Sequence, residues 1–177
     1  MAGRRHRRAA LRRALSVANR WLPRRLAPRA ATLLPNDPRT YDGPRLARWA
    51  AIAYLVAITT RSLIHLLSPD GGAASIAGID LAVGGGANIV AIFGQWGAIQ
   101  LLLAGLLWVL LLRWPGMTPL ALLAFCIEPM LRQLSGWLKP VTTVHIAPGA
   151  AVNDVVLPVM AVLLLLSLCP ASEDRQP

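Results

Sequence analysis

The sequence predicts an all-α fold, an integral membrane, antiparallel four-helix bundle with a basic N-terminal extension. Of the 177 residues, 55% are hydrophobic and 15% are charged, whereas about a quarter of a typical soluble domain is charged. Long apolar stretches recur along the chain, and about 20 apolar residues cross a bilayer core at 1.5 Å per residue. Thirteen of the 18 Lys and Arg residues fall within the first 48, so the positive charge belongs to an extension rather than to the body.

Residues 1–44 are predicted to form a basic, partly helical or disordered cytoplasmic extension and linker. The first 30 residues contain no acid, and an amphipathic helix near residues 5–22 could lie on anionic lipid. A disordered tail is the alternative. Residues 31–44 are rich in Pro, Gly, Asn and Asp, which is typical of a linker. A basic charge also suits nucleic acid, but the hydrophobic body behind it favours the lipid bilayer as the partner.

The transmembrane domain is predicted over residues 45–169. The apolar stretch 76–83 is too short to span a membrane. Glu128 and Arg132 interrupt the third span, which makes it the weakest, and a polar tail, 170–177, closes the chain. The four predicted spans cover about residues 46–67, 87–112, 118–135 and 150–168.

The distribution of basic residues predicts a multi-pass protein of the cell inner membrane with both termini in the cytoplasm. In this orientation the basic extension and Arg113 stay inside, and Lys139 alone lies in an outer loop. The positive-inside rule favours that arrangement because the reverse would translocate the Arg-rich extension.

Polar residues of all four spans fall at similar depth, in the half of the bundle nearest the outer face. Arg61 and His65 are spaced i,i+4, as are Glu128 and Arg132, so each pair shares a helix face. A charge inside the membrane costs at least a few kcal/mol unless it is paired or hydrated. We therefore expect a charge network facing the bundle axis, formed by Arg61, Glu128, Arg132 and Asp154. The candidate ligand-binding residues are Arg61, His65, Gln95, Glu128, Arg132 and Asp154.

Structural interpretations of the same residues stay open. Polar side chains can join helices at about 1 kcal/mol each without binding anything, and this applies to Asn88, Gln95, Gln100 and Asn153. His65 could be a ligand or proton relay, but a histidine near a helix end is more often an interfacial residue. Gly94, Ala98, Gly97 and Gly105 are best explained by close helix packing.

Catalytic residues cannot be assigned from the sequence. The two cysteines have no metal-ligand spacing, and the glycines at 84–86 lack the lysine and spacing of a nucleotide-binding loop. The sequence therefore predicts no metal and no cofactor, and favours a role other than catalysis.

Three functions remain. The first is binding or moving a small molecule or ion through an outer-leaflet polar cavity. The second is a non-catalytic subunit or scaffold of a larger membrane complex, with a membrane-protein partner or a second copy of the chain. The third is a membrane enzyme acting on a lipid head group, with a carboxylate or histidine as acid or base.

Several of these sequence features together resemble a known group of membrane proteins. The four short spans, the Gly-rich first outer loop, FGQWG at 93–97, and EPMLR at 128–132 followed by Gly136 and Lys139-Pro140 resemble uncharacterised small bacterial membrane proteins of the broad DoxX-like group. The resemblance covers residues 46–168. It implies a four-helix bundle and brings no particular activity.

Overall fold

The computed structural model describes residues 21–23, 25–144 and 148–171, and this part of the chain is helical. It contains four α-helices, two short 3₁₀ turns and no β-strand. The helices are α1 (Arg45–Leu67), α2 (Gly86–Arg113), α3 (Thr118–Leu138) and α4 (Pro148–Ser167). The predicted all-helical, four-helix architecture is thus confirmed. The predicted basic helix near residues 5–22 and the polar tail fall almost wholly outside the described residues.

The predicted spans and the observed helices agree closely in number and position. The main difference is in the third element, since α3 continues to Leu138, three residues beyond the predicted span. Gly136 and Trp137 therefore belong to the helix rather than to the loop. Pro119 lies in the first turn of α3, where its missing N–H costs nothing.

The helices pack in two main pairs, α1 with α2 and α3 with α4. Small residues let α1 approach α2. A Cβ atom at Gly97 would lie 2.8 Å from both the Leu66 nitrogen and the Ser62 carbonyl oxygen, and only glycine fits that contact. Nothing lies within 4 Å of a Cβ built at Gly105, so the predicted close packing holds for Gly97 and not for Gly105.

The hydrophobic core occupies the half of the bundle nearest the N-terminal segment, where all four helices contribute. Its largest buried side chains include Leu55, Leu111, Leu122 and Phe125. The Tyr54 and Phe125 rings meet edge to face with centroids 5.0 Å apart, an arrangement favoured between aromatic rings.

Two sets of loop contacts define the two ends of the bundle. At one end the linker lies against the α2–α3 turn and the end of α4, because Gly116 N–H donates to the Pro38 carbonyl and Ala171 N–H to the Asp42 carbonyl. At the other end, Val144 N–H donates to the Gly78 carbonyl and joins the α1–α2 and α3–α4 loops. The linker and the C-terminal end of α4 therefore lie together, as an antiparallel four-helix arrangement requires.

Within the described residues, α1 and α2 are long and apolar enough to cross a membrane by length and composition. The apolar part of α4, Val152–Ser167, is shorter. Many large apolar side chains on these helices are exposed, among them Ile99 and Leu102, both 68% exposed.

Candidate functional site

A cluster of charged and amide side chains lies between the helices in the half of the bundle nearest the 68–85 loop. Glu128 of α3 is at its centre. The Arg132 Nε atom donates to Glu128 Oε1 at 3.1 Å and Arg132 Nη2 donates to Oε2 at 3.2 Å. Arg61 of α1 approaches the same carboxylate, with Nη2 3.8 Å from Oε1. The structure thus brings together three of the four residues predicted to form a charge network.

Gln100 of α2 links the cluster across the bundle. Its side-chain nitrogen donates to Glu128 Oε1 at 3.0 Å, and its oxygen accepts from Arg61 Nη2 at 3.0 Å and from Ser62 Oγ at 3.2 Å. Gln100 is buried, so these bonds satisfy an amide that would otherwise be costly. From the sequence, Gln100 is interpreted only as a residue that joins helices, since no charge or motif distinguishes it from the other amides.

The fourth helix joins through Asn153, whose side-chain oxygen accepts from Arg132 Nη2 at 3.1 Å. The predicted partner on α4 was Asp154, and its side chain is exposed. Adjacent residues of a helix point about 100° apart, so only one of the two can face the axis. Gln95 is also exposed, one and a half turns before Gln100, and the structure places it away from the cluster.

His65 is buried beside the cluster rather than at an exposed helix end. Its Nδ1 atom lies 2.8 Å from the Gly71 carbonyl oxygen, and because a carbonyl can only accept, Nδ1 carries the proton. The imidazole packs on Trp96 with ring centroids 4.7 Å apart, and the Arg61 guanidinium carbon lies 5.5 Å from the Trp96 ring centre. Trp96 thus contacts both Arg61 and His65 of α1.

The loop after α1 is held by Asp70. Its carboxylate accepts from the backbone N–H groups of Gly72 and Ser75 at 2.9 and 2.8 Å, and from the Ser68 hydroxyl at 3.1 Å. These bonds favour the charged form and hold the pKa of Asp70 well below its usual value of 3.8. Gly71 and Gly72 both have positive φ, which lets the loop fold back over His65.

A cavity of about 1050 Å³ opens above the cluster. Its floor carries the polar side chains of Arg61, Gln100, Glu128, Arg132 and Asn153. The walls are mostly apolar, with Trp96, Ile99 and Leu103 from α2 and Ile127 and Leu131 from α3. The loops at that end contribute Ile76, Ala77, Ile79, Lys139, Val141 and Thr143. Neither Gln95 nor Asp154 lines it. A group of three or more His, Cys, Asp or Glu residues able to hold a metal ion does not occur in the described part of the chain.

Comparisons of this chain with protein-family models, with curated proteins and with solved structures find no match. The DoxX-like resemblance therefore stays a prediction, and the site has to be interpreted from its own chemistry.

Proposed function

We propose that this chain is a membrane protein whose four helices cross the bilayer and whose cavity binds a small amphipathic molecule with an anionic group. The observation that carries the proposal is the composition of the 1050 Å³ cavity, whose lining combines many apolar side chains with a few charged ones. Ligand pockets commonly combine apolar walls with a few converging polar groups.

The charge balance of the floor supports an anionic ligand. Arg61 and Arg132 supply two positive charges and Glu128 supplies one negative charge, while Lys139 adds a further positive charge at the rim. Asp154 is exposed and does not line the cavity, so its negative charge does not offset these positive charges there. The Nε atom of Arg61 is also buried without a hydrogen-bond partner among the described residues.

The apolar walls support an amphipathic ligand rather than a bare ion. Ile99 and Leu103 on α2 face the cavity together with Ile127 and Leu131 on α3, and all four are at least 40% exposed. Ile99 lies 13 residues from the start of α2, or about 20 Å at 1.5 Å per residue. If the helices span a bilayer, this cleft opens at the depth of the lipid chains. A molecule with an apolar tail can then enter from the bilayer.

The ligand is tested by native mass spectrometry of the full chain purified in mild detergent, with extraction and identification of bound small molecules. We expect a one-to-one adduct with an anionic amphiphile. Ile99→Trp, which narrows the cleft, should reduce the adduct about tenfold, whereas Leu102→Trp should leave it unchanged. These two residues are equally exposed on the same helix, and only Ile99 lines the cavity. A stoichiometric protein partner with no small-molecule adduct would favour the subunit function instead.

The membrane topology needs a separate test. Asn36 and Ala82 are exposed at opposite ends of the bundle, and each can be changed to cysteine after the native cysteines at 126 and 169 are replaced by serine. In intact cells, a membrane-impermeant maleimide should label the Ala82→Cys variant and not the Asn36→Cys variant. Equal labelling of both, or release of the protein from membranes by carbonate, would contradict the proposed topology.

A further inference from the structure

A second cavity of about 430 Å³ lies at the opposite end of the bundle, between the linker and the start of α1. Arginine side chains dominate its lining, with Arg39 and Arg45 exposed and Arg48 partly buried. One carboxylate, that of Asp42, also lines it, so the wall carries three positive charges against one negative charge. None of these residues belongs to the cluster around Glu128.

Two residues that line this cavity each carry a buried polar atom with no hydrogen-bond partner among the described residues. The two atoms are the Tyr41 hydroxyl and the Arg48 Nε atom. Leaving a buried donor unsatisfied is costly, and more so for a charged group. The arginine nitrogen can only donate, so the missing partner has to be an acceptor.

Neighbouring contacts hold both groups in place. Arg48 Nη2 donates to the Leu111 carbonyl at 3.3 Å, which fixes the guanidinium against the end of α2, and this bond does not use Nε. The Tyr41 ring lies over Gly43, where a Cβ atom would come within 2.5 Å of it. Burial raises the pKa of Tyr41, so the phenol keeps its proton and remains able to donate.

We infer that this pocket binds a phosphate group, with the Tyr41 hydroxyl and Arg48 Nε as buried donors and Arg39 and Arg45 as exposed countercharges. A guanidinium suits a phosphate because its N–H groups match the phosphate oxygens in geometry and charge. Trp49, 57% exposed on the adjoining turn of α1, lines the same pocket. The phosphate can come from a phospholipid head group or from solution, and both sources present the same acceptor oxygens.

The test uses the full chain in nanodiscs made either of phosphatidylcholine alone or with added phosphatidic acid, and separately in detergent with inorganic phosphate. Native mass spectrometry and thermal stability are recorded for each. We expect a one-to-one adduct with phosphatidic acid, inorganic phosphate or both, and an increase in Tm on binding. The two additions distinguish a lipid source from a soluble one. If neither phosphatidic acid nor inorganic phosphate binds, the inference is wrong.

Tyr41→Phe is the most informative variant because it removes only the hydroxyl. Without phosphate we expect its stability to equal or exceed that of the wild type, since an unsatisfied group is gone. With phosphate we expect about tenfold weaker binding and a smaller rise in Tm. Arg48→Gln should weaken binding at least as much, and Arg113→Gln, which changes an exposed arginine outside the pocket, should have no effect.

A purely structural role for the hydroxyl would give the opposite pattern. Tyr41→Phe would then lower Tm equally with and without phosphate, and the affinity would not change. That result would overturn the inference even if Arg48→Gln fails to fold.

Discussion

Replacing Glu128 by glutamine tests whether the charge cluster holds the bundle together. The change removes the only carboxylate that contacts Arg61 and Arg132 among the described residues and leaves two cations side by side. Removing one partner of a fully buried ion pair costs about 3–5 kcal/mol, whereas an exposed pair contributes about 0–1 kcal/mol. The three side chains are 23–28% exposed, so an intermediate loss of about 2 kcal/mol is expected.

Arg132→Gln should cost less, because Glu128 keeps Arg61 as a partner. In the double variant, Arg61 is the only charged side chain left in the cluster. The loss of stability in the double variant should therefore be smaller than the sum of the losses in the two single variants. A coupling of about 1 kcal/mol or more is expected for residues that share two hydrogen bonds. The assay is SDS-induced unfolding in mixed micelles followed by tryptophan fluorescence, with Arg113→Gln as the control. Additive losses within about 0.5 kcal/mol would refute the pairing.

Three further predictions concern packing and pH. Gly97→Ala should destabilise the fold by about 2–4 kcal/mol because the added Cβ meets the α1 backbone. Gly105→Ala has open space around the added Cβ and should be neutral or stabilise the fold by up to about 1 kcal/mol. The same unfolding assay compares the two variants. Trp108→Phe removes the bond from Nε1 to Thr59 Oγ1 at 3.1 Å and should cost about 1 kcal/mol more in the wild type than in a Thr59→Val background, where that bond is already absent. Because the pKa of Asp70 is lowered in the fold, its carboxylate stabilises the fold fully above its ordinary pKa and less as pH falls below that value. Asp70→Asn should therefore be less stable than the wild type at neutral pH, and the difference in stability should disappear in acid. A difference in stability that is unchanged at low pH would contradict this.

The positions of the helices could be predicted from the sequence because the length of each apolar stretch and the turn residues beside it determine where a helix begins and ends. The turn at Arg113–Gly116 and the apolar run before it fixed the boundary between α2 and α3 to within a residue or two. The end of α3 was less predictable. Ser135 and Gly136 are weak helix formers, yet the helix continues past them to Leu138, and local propensity is commonly overridden by context.

The position of the polar cluster along the helices could also be predicted, but its membership could not. The number of residues along a helix gives the position of a side chain along the bundle. The direction in which that side chain faces depends on how the helix is rotated about its axis, and packing against neighbouring helices sets this rotation. On α4 the rotation selects Asn153 over Asp154, and on α2 it selects Gln100 over Gln95. Formal charge was a poor guide because the two residues that complete the cluster are amides.

The hydrogen bonds that the Glu128 carboxylate already accepts bear on the choice between a binding and a catalytic function. A general base needs a free lone pair near the proton that it takes. Here Oε1 accepts from Arg132 and Gln100 with Arg61 close by, and Oε2 accepts from Arg132. Glu128 is therefore better suited to holding two guanidinium groups at fixed positions than to moving protons. The excess positive charge that it leaves on the cavity floor is what a bound anion would meet.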